Sequence, residues 1–399
     1  MIKKFKQFKN LIIKTINNFN TSISKRKRKL HFMDIVYCVA YINSHNVGYN
    51  ITNSHLKNKK IVNVSKSSLV EKRCNIDYTY FTSINDIIIN HIYKNYKKPR
   101  FIAVDGSHIN LFKCLSNYGT RLSRNKKYSS ILLNSLYDID NKIPINYMVD
   151  TKFSERSILY KQLKYIHVGD VLIMDRGYFC QELLNKIINI NADSIFRLKN
   201  NINLTKKIIK SKKNDIIVNY QLNKVNKIQI RLVKYKISKH WYYLCTTLIN
   251  RYKYPLNRLI KLYKKRWTVE TDFLYAIQYM KMDKIKSKKY NNVKQDIASI
   301  QFVSLISSYI EYILKFKNKK YKINKKNSLS IVKNDILYTL LYKKNTKNVI
   351  KKLKEHMNAI KKSNVCIQPN RHYSRIRKMP ASKWCLNPIK FYNKFKKKK

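Results

Sequence analysis

The sequence predicts a mixed α/β fold, on three observations. Two short apolar runs, in "RFIAVDGSHI" and "GDVLIMDRGYF", each end at an aspartate with glycine one or two places on. Runs of that length closed by a turn signal read as buried strands. Segments with helical apolar spacing, "SERSILYKQLKYI" and "CQELLNKIINI", flank the second run. Residues 195–250 carry alternating β-type stretches, "DIIVNYQL", "KIQIRLVKYKI" and "WYYLCTTLI".

In chain order, residues 1–98 read as helical. "MDIVYCVAYIN" has helical spacing, and Ser65 is a candidate N-cap for a short helix that carries Lys66, Lys72 and Arg73. Two short basic helices separated by a turn suit a DNA-contacting module; the same pattern suits an ordinary helical hairpin. Pro99 marks a change of texture, and a strand ending in an Asp-Gly turn follows. "YSSILLNSLYDIDNKIPINYMVD" reads as two strands around a turn at Asp138 to Lys142, with Asp138, Asp140 and Asp150 as turn residues. Glu155 opens a helix, where an acid complements the dipole. Helices resume from Pro255. The end of the chain, from about residue 315, is rich in Lys and Asn and closes on "KFKKKK", a solvated polybasic tail.

Composition narrows the function. The chain has 399 residues with 85 Lys and Arg against 21 Asp and Glu, a net charge of +64, and such a charge calls for a polyanionic partner, most simply nucleic acid. Only 5 Gly and 6 Pro occur while Lys, Asn, Ile and Tyr crowd the chain, so A/T-rich codon drift inflates the charge. Drift does not account for the shortage of acids, and the basicity is read as mostly functional. The 7 Cys form no C-x-x-C pair, which points away from zinc and from a disulfide framework and toward reduced thiols in an intracellular protein. The basic N-terminus lacks a signal peptide's apolar core and cleavage site. "IASIQFVSLISSYIEYIL" is interrupted by Gln301, several Ser and Glu311, so it reads as a buried helix and no membrane partner is expected.

Three carboxylates stand out. Asp105 and Asp175 end apolar strands beside two of the few glycines, Gly106 and Gly177. Each alone is equally well an Asp-Gly turn at the end of a core strand. Glu270 lies in "YKKRWTVETDF", where Tyr263, Arg266 and Glu270 at i, i+3, i+7 share one helical face. Arg266 could grip a phosphate or form an i, i+4 salt bridge to Glu270. Tyr263 could contact DNA or be a helix-face aromatic. Trp267 is expected to face the core. Arg176 could reach a phosphate or pair with an acid, and His108 reads as a surface histidine. A very basic chain has no electrostatic reason to gather acids except to hold divalent cations, and carboxylate oxygens suit Mg²⁺.

"AVDGSH", "LIMDRGYF" and "YKKRWTVETDF", in this order and spacing, resemble the three catalytic blocks of DDE transposases of the insertion-sequence-four type, marked by Tyr, two residues, Arg, three residues, Glu. "FSERSILYKQL", "VKQDIASIQFVSLI" and the β insertion resemble that family too, and the likeness covers about residues 30–315. The resemblance implies a ribonuclease H-like core. Residues 1–98 would be a helical DNA-binding region and 99–194 the first part of the core. A β-rich insertion (195–250), the second part of the core (251–315) and a basic C-terminal region (316–399) would follow. It implies Asp105, Asp175 and Glu270 as catalytic, metal-binding residues for two Mg²⁺ ions, with Mn²⁺ as a substitute. It implies DNA as partner, both terminal inverted repeats and target, and self-association in a paired-end complex. Tyr263, Arg266 and Arg176 would contact DNA. The family's lysine seven residues after the glutamate is Ile277 here, and Lys281, one helical turn later, would replace it. The other functions in view are a transposase-derived DNA-binding protein without catalysis, and a nuclease of the same fold without strand transfer.

Overall fold

The computed structural model describes residues 2–23, 29–222, 227–238, 240–314, 316, 318 and 320–368. Residues 369–399, with the polybasic end of the tail, lie outside the described residues. Five helices come first: α1 (Ile2–Ile23), α2 (Phe32–His45), α3 (Tyr49–Asn58), α4 (Lys66–Cys74) and α5 (Thr79–Tyr93). Ser65 caps α4, its hydroxyl accepting the Ser68 N–H at 3.1 Å. Next come β1 (Phe101–Leu111), β2 (Arg121–Leu122), β3 (Ser129–Asp138), β4 (Ile143–Asp150), α6 (Glu155–Gln162), β5 (Val171–Met174), α7 (Gln181–Asn189) and β6 (Asp193–Arg197). After α8 (Asn203–Lys210) come three more strands, β7 (Asp215–Gln221), β8 (Lys227–Ile237) and β9 (His240–Thr246). The chain then becomes helical: α9 (Leu256–Lys265), α10 (Thr268–Leu274), α11 (Tyr290–Leu314), α12 (Lys325–Ile331), α13 (Leu337–Tyr342) and α14 (Lys347–Lys362).

Among the described residues nine strands form one mixed sheet, in the order β2-β3-β1-β5-β6-β9-β8-β7, with β4 also on β3. The middle, β1-β5-β6, is parallel. Ile102–Val104 and Val171–Met174 are fully buried, which is why both read as unbroken apolar runs. One feature departs from the sequence expectations and two add to them. β1 does not turn at Asp105-Gly106 but continues to Leu111, paired antiparallel with β3 throughout. The strands of 195–250 do not form a separate sheet: β9 pairs with β6, so the meander lengthens the central one. The first helices share the protein's core, α2 and α5 lying along α11.

Helices cover both faces of the sheet. Asn146 and Tyr147 are neighbours on β4 and so point to opposite faces. Asn146 accepts from Gln162 of α6 at 2.8 Å, whereas the Tyr147 hydroxyl donates to Asp272 of α10. α6 and α10 therefore approach from opposite sides. α11 is long and apolar enough to cross a membrane by length and composition, but nearly all of it is buried inside the fold. Its polar residues are tied: Asp296 pairs with Arg73 at 2.6 Å, and Gln295 accepts from Arg73 Nε at 2.9 Å. Arg73 is thus a buried strut between α4 and α11, not the DNA contact that the basic helix suggested, while Lys66 of the same helix is exposed.

Candidate active site

The register of the parallel strands builds the site. The last β1–β5 pair is Val104 with Met174, and the last β5–β6 pair is Met174 with Phe196. The next residue on each strand is therefore Asp105, Asp175 and Arg197. Neighbouring strands lie about 4.8 Å apart, so the three side chains start side by side at one end of the parallel strands. Arg197 Nη1 is 3.5 Å from Asp175 Oδ1, and its guanidinium lies over the Tyr242 ring, 4.7 Å from the centroid. Nothing around Arg197 in the sequence singles it out; only the strand register does.

The third acid arrives on α10. α9 ends at Lys265 and α10 begins at Thr268, but Arg266 and Trp267 keep right-handed helical dihedrals, so the path stays nearly helical across the break. Tyr263, Arg266 and Glu270 consequently face the same place. The Tyr263 hydroxyl donates to Asp175 Oδ1 at 3.1 Å. Arg266 reaches Asp105 Oδ2 through Nη1 at 3.3 Å and Glu270 Oε1 through Nη2 at 3.3 Å. The guanidinium thus makes the i, i+4 salt bridge and also ties the first carboxylate to the third. Arg266 is only 4% exposed, and its Nε and Nη1 lack a hydrogen-bond acceptor. A buried donor without an acceptor is costly; Nη1 is offset by its ion pair with Asp105, which leaves Nε as the donor with no partner. Trp267, expected in the core, is instead 63% exposed.

Electrostatics mark the same cluster. The Asp105 carboxyl is held above its ordinary range, first by burial and then by the Glu270 and Asp175 charges, with Arg266 opposing. Glu155 is raised by burial, then by Asp105 and Asp175. The sequence reading gave Glu155 only the role of a helix-start acid. It does open α6 behind an N-cap, Ser154, yet it also belongs to the acid cluster. Tyr263 is pushed well up by burial and the Asp175 charge.

Other predicted positions fall elsewhere. Arg176 is exposed and has no ion pair among the described residues, leaving it open to a phosphate. His108 is exposed and stacks on Phe153 at 5.6 Å, with Arg121 over the same ring at 5.5 Å. They line a groove of about 480 Å³ that begins at Glu155 and Gly177. Lys281 does not follow Glu270 on one face. The helix widens into a π turn at Tyr275–Tyr279, which shifts its phase and packs Ile277 against the core, and Lys281 leaves it in a left-handed conformation, φ 56°. Lys281 lines a different cavity, about 370 Å³, with Arg73, Lys284, Lys286 and Lys288.

Asp272, two residues past Glu270, anchors α10 to Tyr147, and burial pushes its carboxyl up to about 6. Its folded value exceeds the unfolded one of about 3.9. The stability this shift contributes is therefore complete below pH about 4 and lost as pH rises through about 6. Asp272→Asn removes the dependence. Urea titrations in EDTA are expected to show the variant gaining about 2–3 kcal/mol on wild type between pH 4 and pH 7. Parallel stability curves would contradict the shift.

The acids offer hard oxygen donors from both faces of one sheet end, and the Arg266 guanidinium stands where a cation is called for. Among the described residues no three ligating side chains are gathered tightly enough to hold an ion as they stand. The donor chemistry and the convergence on one cation nevertheless fit a divalent metal.

Residues 96–306 match a family described as "Transposase DDE domain". No curated protein matches the chain in sequence. Among solved structures, "Cryo-EM structure of piggyBac transposase synaptic complex with hairpin DNA (SNHP)" is similar at 13% identity and a TM-score of 0.46, covering 89% of this chain and 84% of that one.

Proposed function

Because the chain belongs to the transposase DDE domain family, we propose that it moves a DNA element by two-metal-ion chemistry at Asp105, Asp175 and Glu270. It is a DNA transposase, a metal-dependent enzyme that cuts and joins DNA. The observation that carries the catalytic assignment is the register that sets Asp105 and Asp175 at adjoining strand ends, with Arg266 linking Asp105 to Glu270. The spacing of Tyr263, Arg266 and Glu270 supports the insertion-sequence-four type, and β1, β3, β4, α6, β5, α7 and β6 support a ribonuclease H-like core.

The three carboxylates would hold the metal ions. Two Mg²⁺ ions, or Mn²⁺ in their place, would when bound supply activation of the attacking oxygen and charge stabilisation of the leaving one. Tyr263 and Arg197 fix the Asp175 carboxylate from two sides. Arg266 offers its Nε–H, which has no partner, to a non-bridging oxygen of the scissile phosphate, a charge-assisted grip. Arg176 takes a neighbouring phosphate. In the first step water attacks phosphorus at the element end, the P–O bond breaks and a 3′-OH is freed. In the second that 3′-OH attacks a target phosphodiester and releases a new 3′-OH. Residues 1–98 carry preference for the terminal inverted repeats, without Arg73, and the protein works as a paired-end assembly inside the cell wherever its DNA resides.

The test is an assay of the full chain on DNA carrying the element's ends, with Mg²⁺ or with EDTA. Cleavage at the element boundary and joining to target DNA are expected with Mg²⁺ only. Binding without cleavage would leave a non-catalytic DNA-binding protein, and cleavage without joining a nuclease.

A further inference from the structure

We propose that Glu155 is a fourth carboxylate of the metal-binding set, entering from the face of the sheet opposite to Glu270. The inference rests on the metal-dependent reading of Asp105, Asp175 and Glu270 and extends it. The first observation is steric. A Cβ at Gly106 would stand 2.5 Å from Glu155 Oε1 and 2.9 Å from its Cγ, and a Cβ at Gly177 would stand 3.0 Å from Oε2. All three distances lie below ordinary van der Waals contact. The Glu155 carboxylate therefore fills the space left by two missing side chains, one beside Asp105 and the other two residues after Asp175. Neither glycine has a positive φ, so the need is for room and not for backbone freedom. Gly106 faces away from Asp105 by strand alternation, which puts Glu155 on the α6 side while Arg266 and Glu270 hold the other.

The second observation is the company it keeps. Among the described residues the Glu155 side chain has no hydrogen-bond or ion-pair partner, in a chain with 85 Lys and Arg. Its neighbour Arg156 makes no ion pair with it; the Arg156 Nε donates to the Gly177 carbonyl at 3.0 Å, which clamps the turn after Asp175 onto α6, and its charge opposes the rise of the Glu155 carboxyl only as a lesser cause. The helix dipole alone favours an acid at this position but asks for no clearance on either side. A half-buried carboxylate threaded between two carboxylate-bearing segments is balanced by a shared divalent cation.

The experiment is Mn²⁺ titration of the DNA-free full chain, free Mn²⁺ being read by electron paramagnetic resonance. Glu155→Gln is expected to weaken Mn²⁺ binding about tenfold or more, and Glu155→Asp to recover part of it. Gly106→Ala keeps every carboxylate but displaces that of Glu155, and is expected to weaken binding likewise. It decides the matter should Glu155→Gln fail to fold by circular dichroism. Asp105→Asn is the reference. If it weakens Mn²⁺ binding while Glu155→Gln and Gly106→Ala bind as wild type, Glu155 is only a helix-start acid and the inference falls. If Asp105→Asn also binds as wild type, the metal reading of the site itself falls.

Discussion

Asp105→Asn, Asp175→Asn and Glu270→Gln each abolish cleavage of element-end DNA, lowering the rate by about 10³-fold or more, while DNA binding persists. The magnitude follows from what a metal supplies at phosphorus, several kcal/mol of charge stabilisation, converted at about 1.4 kcal/mol per factor of ten. Residues acting as one unit are far from additive, so a double variant is expected to lose little beyond either single one. Binding is expected to tighten slightly at low salt. Removing the Asp105 charge frees the buried Arg266 guanidinium, and one negative charge fewer faces the DNA phosphates. Single-turnover cleavage on gels and fluorescence anisotropy without metal separate the two effects. Appreciable cleavage by any one variant removes that residue from the catalytic set.

The largest loss of stability is expected at Asp296. Its side chain accepts from Arg73 at 2.6 Å and from Asn43 at 2.8 Å, and both members of the ion pair are buried. Asp296→Ala leaves the Arg73 guanidinium buried without its counter-charge, which costs about 3–5 kcal/mol. Arg73 keeps its bonds to Gln295, Tyr49 and the Asn292 carbonyl, and these hold it in place so that it cannot escape to water. Replacing both charges, as Arg73→Met with Asp296→Leu, is expected to restore much of the loss. Urea midpoints at unchanged slope read the difference. A loss below about 1 kcal/mol for Asp296→Ala would mean that the pair is not a strut.

Much of this was legible in the sequence, for identifiable reasons. Buried parallel strands are apolar on both faces, so "FIAV" and "VLIM" stood out. The spacing of Tyr263, Arg266 and Glu270 survived because the chain stays in the helical region across Arg266 and Trp267. One failure has a local cause, since helical phase cannot be extrapolated past a π turn. Ile277 and Lys281 were rephased by the one at Tyr275–Tyr279, whereas Trp267 is exposed although the chain stays in the helical region there. Arg197 was invisible because only strand register, a long-range property, aligns it with Asp175. Glu155 was read only as a helix-start acid, a role it does have, and its closeness to Asp105 and Asp175 did not show locally. The available signal was indirect: two glycines retained beside the aspartates, in a chain nearly without glycine, meant that something else occupied their space. Arg73 looked like a ligand-seeking cation until its buried partner appeared 223 positions away.

The register of β1 on β5 also governs what change the protein can absorb. The separation of Asp105 from Asp175 is held by main-chain hydrogen bonds and owes nothing to which apolar side chains flank them. A genome sliding toward A and T can rewrite valine as isoleucine along both strands and leave the two acids where they were. A single inserted or deleted residue between Phe101 and Val104 cannot be absorbed, because it turns every following side chain to the opposite face. The acid-bearing end of the sheet is therefore tolerant of spelling and intolerant of length.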